Sequence, residues 1–375
     1  MDSPRVSQGL DAVGLPQLFG DSWKRKFQPR LRRWFARHAR ELPWRDTNDP
    51  YRIWISEVML QQTQVQTVID YYHRFLARLP NVRALAAAEE DEVLRLWEGL
   101  GYYRRARQLH AAAKQIVSDH NGEFPRDVES VYALPGVGRY TAHAVLCFSD
   151  KQRLPIVEAN TQRLYARLLE LDELPTLTSA QKQLWEFAEW ILPRSQVDSF
   201  NQALMELGSL VCTPKSPSCP KCPVRDLCAT FATGRQEEIP VAKTKTKYES
   251  RVEVAWVVQD GAGRTVVRQC LPDERWAGLW DFPRYHPGPK TAQEAAEKSI
   301  RQLSVDLEQN IRPDELLCTI QHGVTKYRIS LQVKTSHPIE ESTLPAPYRW
   351  VTSEELRDLP LNQTARKIAK LIEIN

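Results

Sequence analysis

Residues 54–63 read Trp54-Ile55-Ser56-Glu57-Val58-Met59-Leu60-Gln61-Gln62-Thr63. One carboxylate sits in an apolar run, and a row of uncharged hydrogen-bonding side chains follows it. Asp49-Pro50 supplies an N-cap and a first-turn proline, so a helix is expected to start there with Glu57 well inside it. Burial beside Trp54, Val58 and Leu60 would raise the carboxyl pKa, because desolvation disfavours the charged form. A carboxylic acid kept neutral near pH 7 can serve as a general acid. A lone Glu on a helix is more often simply solvated, so the rest of the chain has to decide.

Outward from this stretch, residues 28–211 carry helical periodicity almost throughout. Val65, Val68, Ile69, Tyr72, Phe75 and Leu76 mark one apolar face and Leu164, Leu168 and Leu169 another. Prolines and glycines punctuate the run, which predicts an all-α region of many short helices. Residues 1–27 mix Pro, Gly and Ser and are expected to form a poorly ordered extension. Residues 231–249, with Pro240 and alternating Lys and Thr, read as a linker. Residues 250–375 then predict a small α+β domain. Val252, Val254, Trp256 and Val258 alternate, Asp260 to Gly263 turn, and Thr265-Val266-Val267 return. A helix is expected near 291–303, strands near 315–321 and 326–334, and helices near 353–358 and 363–374.

The 375 residues carry 51 basic and 47 acidic side chains, a net charge of +4 that says little alone. Local pattern says more. Arg30, Arg32, Arg33, Arg37, Arg40 and Arg45 cluster with Trp34 and Trp44, and Arg104, Arg105 and Arg107 follow Tyr102-Tyr103. Such interleaving suits a nucleic-acid surface, although a solvated amphipathic helix would look similar. With no run long enough to span a membrane and no secretory segment, a cytoplasmic protein is expected, nucleoid-associated if bacterial.

Three further constellations carry chemistry. Leu134-Pro135-Gly136-Val137-Gly138-Arg139 places a Pro-Gly-x-Gly turn between helical runs. Backbone N–H groups around Gly136, Val137 and Gly138 could bind a phosphate without a cationic side chain. No Walker loop or dinucleotide fingerprint competes with that reading, which favours a DNA backbone over a nucleotide. Cys212, Cys219, Cys222 and Cys228 follow with gaps of six, two and five residues in a proline-rich loop. That spacing favours a four-thiolate iron–sulfur cluster over zinc, which usually takes two close-spaced pairs. Finally, Pro155-Ile156-Val157-Glu158-Ala159-Asn160 ends a strand-like piece in a carboxylate, before a helix that Asn160 could cap. Two carboxyl groups, one neutral and one ionised, can cleave a glycosidic bond through an oxocarbenium-like state.

Together with Leu42-Pro43-Trp44-Arg45, Gly99-Leu100-Gly101-Tyr102-Tyr103 and Asn201-Gln202-Ala203-Leu204, these stretches resemble the adenine DNA glycosylases of the MutY family, over roughly residues 28–230. That family belongs to the helix-hairpin-helix glycosylase superfamily. The resemblance implies a six-helix barrel beside an iron–sulfur domain holding a 4Fe-4S cluster. It implies action as a monomer on double-stranded DNA containing adenine mispaired with 8-oxoguanine or guanine. It makes Glu57 the general acid, Tyr140 its hydrogen-bond partner where bifunctional relatives carry a lysine, and Asn160 a support for the carboxylates. Arg40, Leu42, Trp44 and Gln202 become adenine-pocket residues, and Gln62 and Tyr102 side chains that enter the base stack. A glycosylase for uracil or thymine, or a silent mismatch-binding protein, is the alternative.

Two departures stand out. The family's Asp-Gly-Asn run reads Glu158-Ala159-Asn160, and its Phe-Ser/Thr-His loop reads Val324-Thr325-Lys326. Thr325 and Lys326 are thus the residues expected to face the opposing base. The C-terminal domain resembles the family's Nudix-like module, with Arg275-Trp276-Ala277-Gly278-Leu279-Trp280-Asp281-Phe282-Pro283 as the clearest match. Where a Nudix box needs a Glu-rich Mg²⁺ site, it reads Gln302-Leu303-Ser304-Val305-Asp306-Leu307, so recognition rather than diphosphate hydrolysis is expected.

Overall fold

A computed structural model of the chain describes residues 15–242, 248–286, 288 and 292–373. The helices of the first part are α1 (Leu15–His38), α2 (Pro50–Leu60), α3 (Val65–Arg78), α4 (Val82–Ala87), α5 (Glu90–Leu96), α6 (Arg104–Asp119) and α7 (Val128–Tyr132). They continue as α8 (Arg139–Asp150), α9 (Ala159–Leu169), α10 (Thr178–Ile191), α11 (Val197–Leu210) and α12 (Ala229–Thr233). Helix α2 starts as its sequence predicts: Asp49 accepts from the Tyr51 N–H and Pro50 occupies the first turn, where a missing N–H costs nothing.

Compactness divides the chain into two units whose limits differ from the boundaries read in the sequence. One takes residues 1–76, 81–83 and 112–244; the other takes 77–80, 84–111 and 245–375. In the first, α2 packs on α8, and α11 packs on both α1 and α9.

The poorly ordered extension expected as far as residue 27 is corrected from Leu15 onward, and residues 1–14 lie outside the described residues. Trp23 and Phe27, four residues apart, share one helix face, and Phe19 before the kink also reaches Trp23, Phe187 and Trp190. Trp23 stacks on Phe27 with centroids 4.7 Å apart and meets Phe187 and Trp190 of α10. Gly20, at φ 65°, kinks α1 between Phe19 and Trp23. The linker expected at 231–249 also gives way in part. Its first residues end α12, Ile239 is buried, and residues 243–247 lie outside the described residues.

The C-terminal region holds β1 (Glu249–Val257), β2 (Thr265–Gln269), β3 (Trp280–Asp281), β4 (Arg284–Tyr285) and α13 (Ala292–Asp306), then β5 (Pro313–Val324), β6 (Tyr327–Ser336), β7 (Tyr348–Val351), α14 (Ser353–Asp358) and α15 (Gln363–Ile372). One sheet runs β4-β1-β6-β5 and a second β3-β2-β7. The period-2 pattern of β1 is used on both faces. Val254, Trp256 and, just past the strand, Val258 pack with Leu303 of α13 and Leu307 just beyond it, while Ala255 and Val257 pack with Leu356 of α14 and Ile368 of α15.

The turn and return expected after β1 are present: Gln259 and Thr265 bridge, the Asp260 N–H donates to the Arg264 carbonyl at 3.1 Å, and the Val266 N–H donates to the Val258 carbonyl at 2.9 Å. Beyond this short pairing β1 and β2 part into different sheets. Burial on both faces of β1 leaves room for that divergence, which a turn signal cannot reveal.

Candidate active site

Five segments of the first unit converge on one cavity of about 460 Å³. Helix α2 brings Glu57, the N-terminus of α8 brings Tyr140, the start of α9 brings Glu158 and Asn160, and α11 brings Gln202. The loop after α1 adds Arg40, Leu42 and Trp44, and the end of α2 adds Gln62. Residues spread over more than 160 positions thus share one lining.

Glu57 is 4% exposed. Burial is the main cause that pushes its carboxyl up to about 7; the Tyr140 hydrogen bond opposes this and the nearby Glu158 charge adds to it. The Tyr140 hydroxyl donates a short hydrogen bond to Glu57 Oε2. Burial, then the Glu57 charge, raise Tyr140 far above its ordinary value, so this hydroxyl remains a donor.

Glu158 is held differently. It is itself the N-cap of α9, so the expectation that Asn160 caps this helix is corrected. Its Oε1 accepts from the Thr161 N–H at 2.9 Å, and its Oε2 accepts from the Asn160 N–H at 2.8 Å and Asn160 Nδ2 at 3.2 Å. Burial raises its pKa, but these donors and Arg163 favour the ionised form. Asn160 thus donates to this carboxylate from both backbone and side chain, and Arg163 orients it: Arg163 Nη2 donates to Asn160 Oδ1 at 2.9 Å. The same guanidinium donates to the Gly208 carbonyl at 2.6 Å and the Cys212 carbonyl at 2.7 Å. A Cβ at Gly208 would lie 2.7 Å from the Asn160 carbonyl, so glycine there lets α11 approach the start of α9. Burial thus raises both carboxyl groups, Glu57 to about 7, while the cap donors and Arg163 work against the rise at Glu158 and favour its ionised form.

Arg40 lines the cavity, but its guanidinium is already engaged. Nε and Nη2 each donate to Glu206 at 2.8 Å, and Arg45 Nη2 reaches the same carboxylate at 2.9 Å. Burial works to raise Glu206, yet the two arginines outweigh it and hold it at about 2. Arg40 thus shapes the cavity wall through Glu206. Sequence reading missed Glu206, Met205 and Ser209; with Gln202 they recur at helical spacing along α11, a signal that was present.

The remaining candidates sit as follows. Gln62 is exposed with φ 57°, and Tyr102 is 60% exposed with φ 48°. Left-handed backbone costs a non-glycine residue roughly 1–2 kcal/mol, and neither side chain gains burial in return. In the Pro-Gly-x-Gly turn, Gly136 has φ 74° and Gly138 is the N-cap of α8. Val137 is corrected: its N–H donates to the Leu134 carbonyl at 3.1 Å and its side chain is buried, so it forms the turn and does not face an anion. Cys212, Cys219, Cys222 and Cys228 are free thiols lining a single apolar cavity, with Arg167 Nη1 3.3 Å from Cys212 Sγ. Among the described residues no three His, Cys, Asp or Glu side chains converge as a lone metal ion requires.

In the second unit, Thr325 and Lys326 form the two-residue loop between β5 and β6, with Thr325 at φ 52°. The Thr325 hydroxyl donates to the Val324 carbonyl at 2.7 Å, and Lys326 Nζ pairs with Glu249 at 2.7 Å. Asp306, the acid remaining in the altered Nudix box, accepts from the hydroxyls of Tyr285 at 2.6 Å and Tyr348 at 3.1 Å.

Residues 55–189 match the HhH-GPD superfamily of base excision DNA repair proteins, and residues 254–371 match the NUDIX domain family. The chain is 31% identical to the adenine DNA glycosylase of Rattus norvegicus, over 92% of this chain and 78% of that one. Identity to the adenine DNA glycosylase of Homo sapiens is 30%, over 92% and 74%. The chain belongs to the adenine DNA glycosylase family. A solved structure of a thermostable thymine-DNA glycosylase superposes on 57% of this chain and 98% of its own, with a TM-score of 0.53 and 29% identity. The family thus combines, in this member, a helical glycosylase region with a C-terminal Nudix-like region whose box acid is held by two tyrosines.

Proposed function

We propose that this chain removes adenine mispaired with 8-oxoguanine or guanine in double-stranded DNA, by hydrolysing its N-glycosidic bond, and acts as a monomer. The observation that carries this reading is the pairing of a buried Glu57, raised to about 7, with a capped Glu158 in one cavity that also holds Gln202. The target nucleotide leaves the stack and enters that cavity. Glu57 gives its proton to N7 of adenine while the bond from the base to C1′ breaks and its electron pair goes to the base. The Glu158 carboxylate faces the positive charge developing on the sugar. Water adds at C1′ and returns a proton to Glu57. Tyr140 stands where bifunctional relatives carry a lysine, so the strand remains intact after excision.

Single-turnover assays on duplexes carrying adenine, uracil or thymine opposite 8-oxoguanine or guanine test this directly. The expected products are free adenine and strand breaks that appear only after alkali. Release of uracil or thymine in preference to adenine would contradict the assignment.

The four cysteines are assigned to a 4Fe-4S cluster. Four free thiols around one apolar cavity, with a guanidinium against Cys212, suit a polynuclear anionic group. Bound there, such a cluster would cross-link the loop from residue 212 to 228. Anaerobically purified protein should be yellow-brown with about four irons per chain. A colourless sample with stoichiometric zinc would contradict this.

The β5–β6 loop is assigned to the opposing base. The proton of Thr325 is committed to Val324, so this hydroxyl is left to accept, and Lys326 reaches DNA by exchanging Glu249 for a phosphate. Such contacts position the protein and carry little base information. A modest preference for 8-oxoguanine over guanine follows.

A further inference from the structure

Helix α5 is only seven residues long, yet the C-terminal residues of its own compact unit grip it along one face. Positions 90, 91, 94 and 98 share that face. A Cβ at Gly278, where φ is +84°, would lie 3.2 Å from Glu90 Oε1 and 3.4 Å from Leu94. Trp280 Nε1 donates to Asp91 Oδ2 at 3.4 Å. The strongest contact comes last. Arg366 Nε and Nη2 donate to the two oxygens of Glu98 at 2.7 and 3.0 Å. The remaining donors of that guanidinium go to the carbonyls of Leu356 at 3.2 Å, Arg357 at 3.0 Å and Leu359 at 2.7 Å. All five N–H groups of Arg366 are used, and its planar fork is fixed in orientation. The pair is largely shielded, with side chains 16% and 12% exposed.

Glu98 is the residue just before the Gly99-Leu100-Gly101-Tyr102-Tyr103 turn. Gly99, Gly101 and Tyr102 all take positive φ, at 100°, 71° and 48°. Trp97, Leu100 and Tyr103 are buried, whereas Tyr102 points outward. The Gly101 carbonyl accepts from Trp97 Nε1 at 3.2 Å and Arg105 Nη2 at 3.1 Å. The turn is therefore anchored from within and clamped at its start by Arg366.

We propose that Arg366 and Glu98 are positioning residues: the Nudix-like domain holds the Tyr102 turn in its strained geometry through this ion pair and thereby sets how Tyr102 meets DNA. The proposal rests on the reading of Tyr102 as a side chain that enters the base stack. It gives the Gly278–Trp280 segment and Arg366 a role separate from reading the opposing base. Loss of the pair relaxes the turn without touching the cavity that holds Glu57.

The test uses full-length protein with 3-fluorotyrosine at position 102, comparing the parent with Glu98→Gln and Arg366→Met. In free protein, the fluorine resonance should move from the parent's position and narrow in both variants as the freed turn gains mobility. Affinity for an adenine:8-oxoguanine duplex should fall about tenfold, in the range for breaking one partner of a shielded charge pair. In a Tyr102→Ala background the same substitutions should cost less than about twofold, because residues that act through one side chain do not add. An unmoved resonance in both variants overturns the proposal, and so does an equal affinity loss in the Tyr102→Ala background. If Tyr102→Ala alone costs no affinity while the resonance still shifts, the base-stack reading fails and the clamp on the turn stands.

Discussion

Glu57→Gln is expected to bind adenine mispairs as the parent does and to lose excision by about 10²–10⁴-fold, the usual contribution of general acid catalysis. Glutamine keeps the volume and can still accept the hydrogen bond from Tyr140, but has no proton to give. Folding should not suffer. The fold resists ionising Glu57, whose pKa is raised to about 7. The stability tied to its neutral form is complete below the ordinary carboxyl range and is lost as pH rises through about 7. An amide cannot ionise, so the variant should melt no lower than the parent at pH 8. Single-turnover excision near the parent rate would remove Glu57 from the mechanism.

Glu158→Gln should cost about 10²–10³-fold in excision rate, the effect of removing one preorganised electrostatic partner of a developing charge. A structural loss comes with it, because Glu158 caps α9 through the N–H groups of Asn160 and Thr161. A lost cap costs roughly 0.5–2 kcal/mol, which weakens the helix start without unfolding the domain. Glu158→Asn separates the two effects. Asparagine is a good N-cap without the charge, so this variant should melt near the parent yet excise as slowly as the glutamine one. Excision near the parent rate by the asparagine variant, measured by single-turnover rate with melting temperature as control, would make Glu158 a cap and nothing more.

Much of this site was legible because its residues lie in local motifs. Asp49-Pro50 announced α2 and the Pro-Gly-x-Gly turn announced the start of α8, whereas the burial of Glu57, which its local stretch left undecided, followed only from the motifs taken together. What escaped depends on long-range packing. No local pattern says that Arg40 and Arg45 spend their donors on Glu206, over 160 residues away. The cap of α9 is local, a capping box between Glu158 and Thr161, but glutamate is not among the usual N-cap residues. The first helix escaped for a different reason: the Pro, Gly and Ser content of residues 1–27 outweighed the i, i+4 spacing of Phe19, Trp23 and Phe27. Likewise, the parting of β1 and β2 into two sheets follows from burial on both strand faces, which an alternating pattern does not encode.

The central claim is that a neutral Glu57 and an ionised Glu158 share one cavity and split the work of bond cleavage. The pH dependence of single-turnover adenine release from an adenine:8-oxoguanine duplex tests it most directly. The free enzyme should lose activity as pH rises through about 7, where Glu57 gives up its proton, and again at acid pH, where Glu158 gains one. Because the two carboxyl groups interact, the limbs belong to the pair. Glu57→Gln should abolish the alkaline limb along with most of the rate. An alkaline limb that persists unchanged in Glu57→Gln, or a parent rate that is flat from pH 6 to pH 9, would contradict the account.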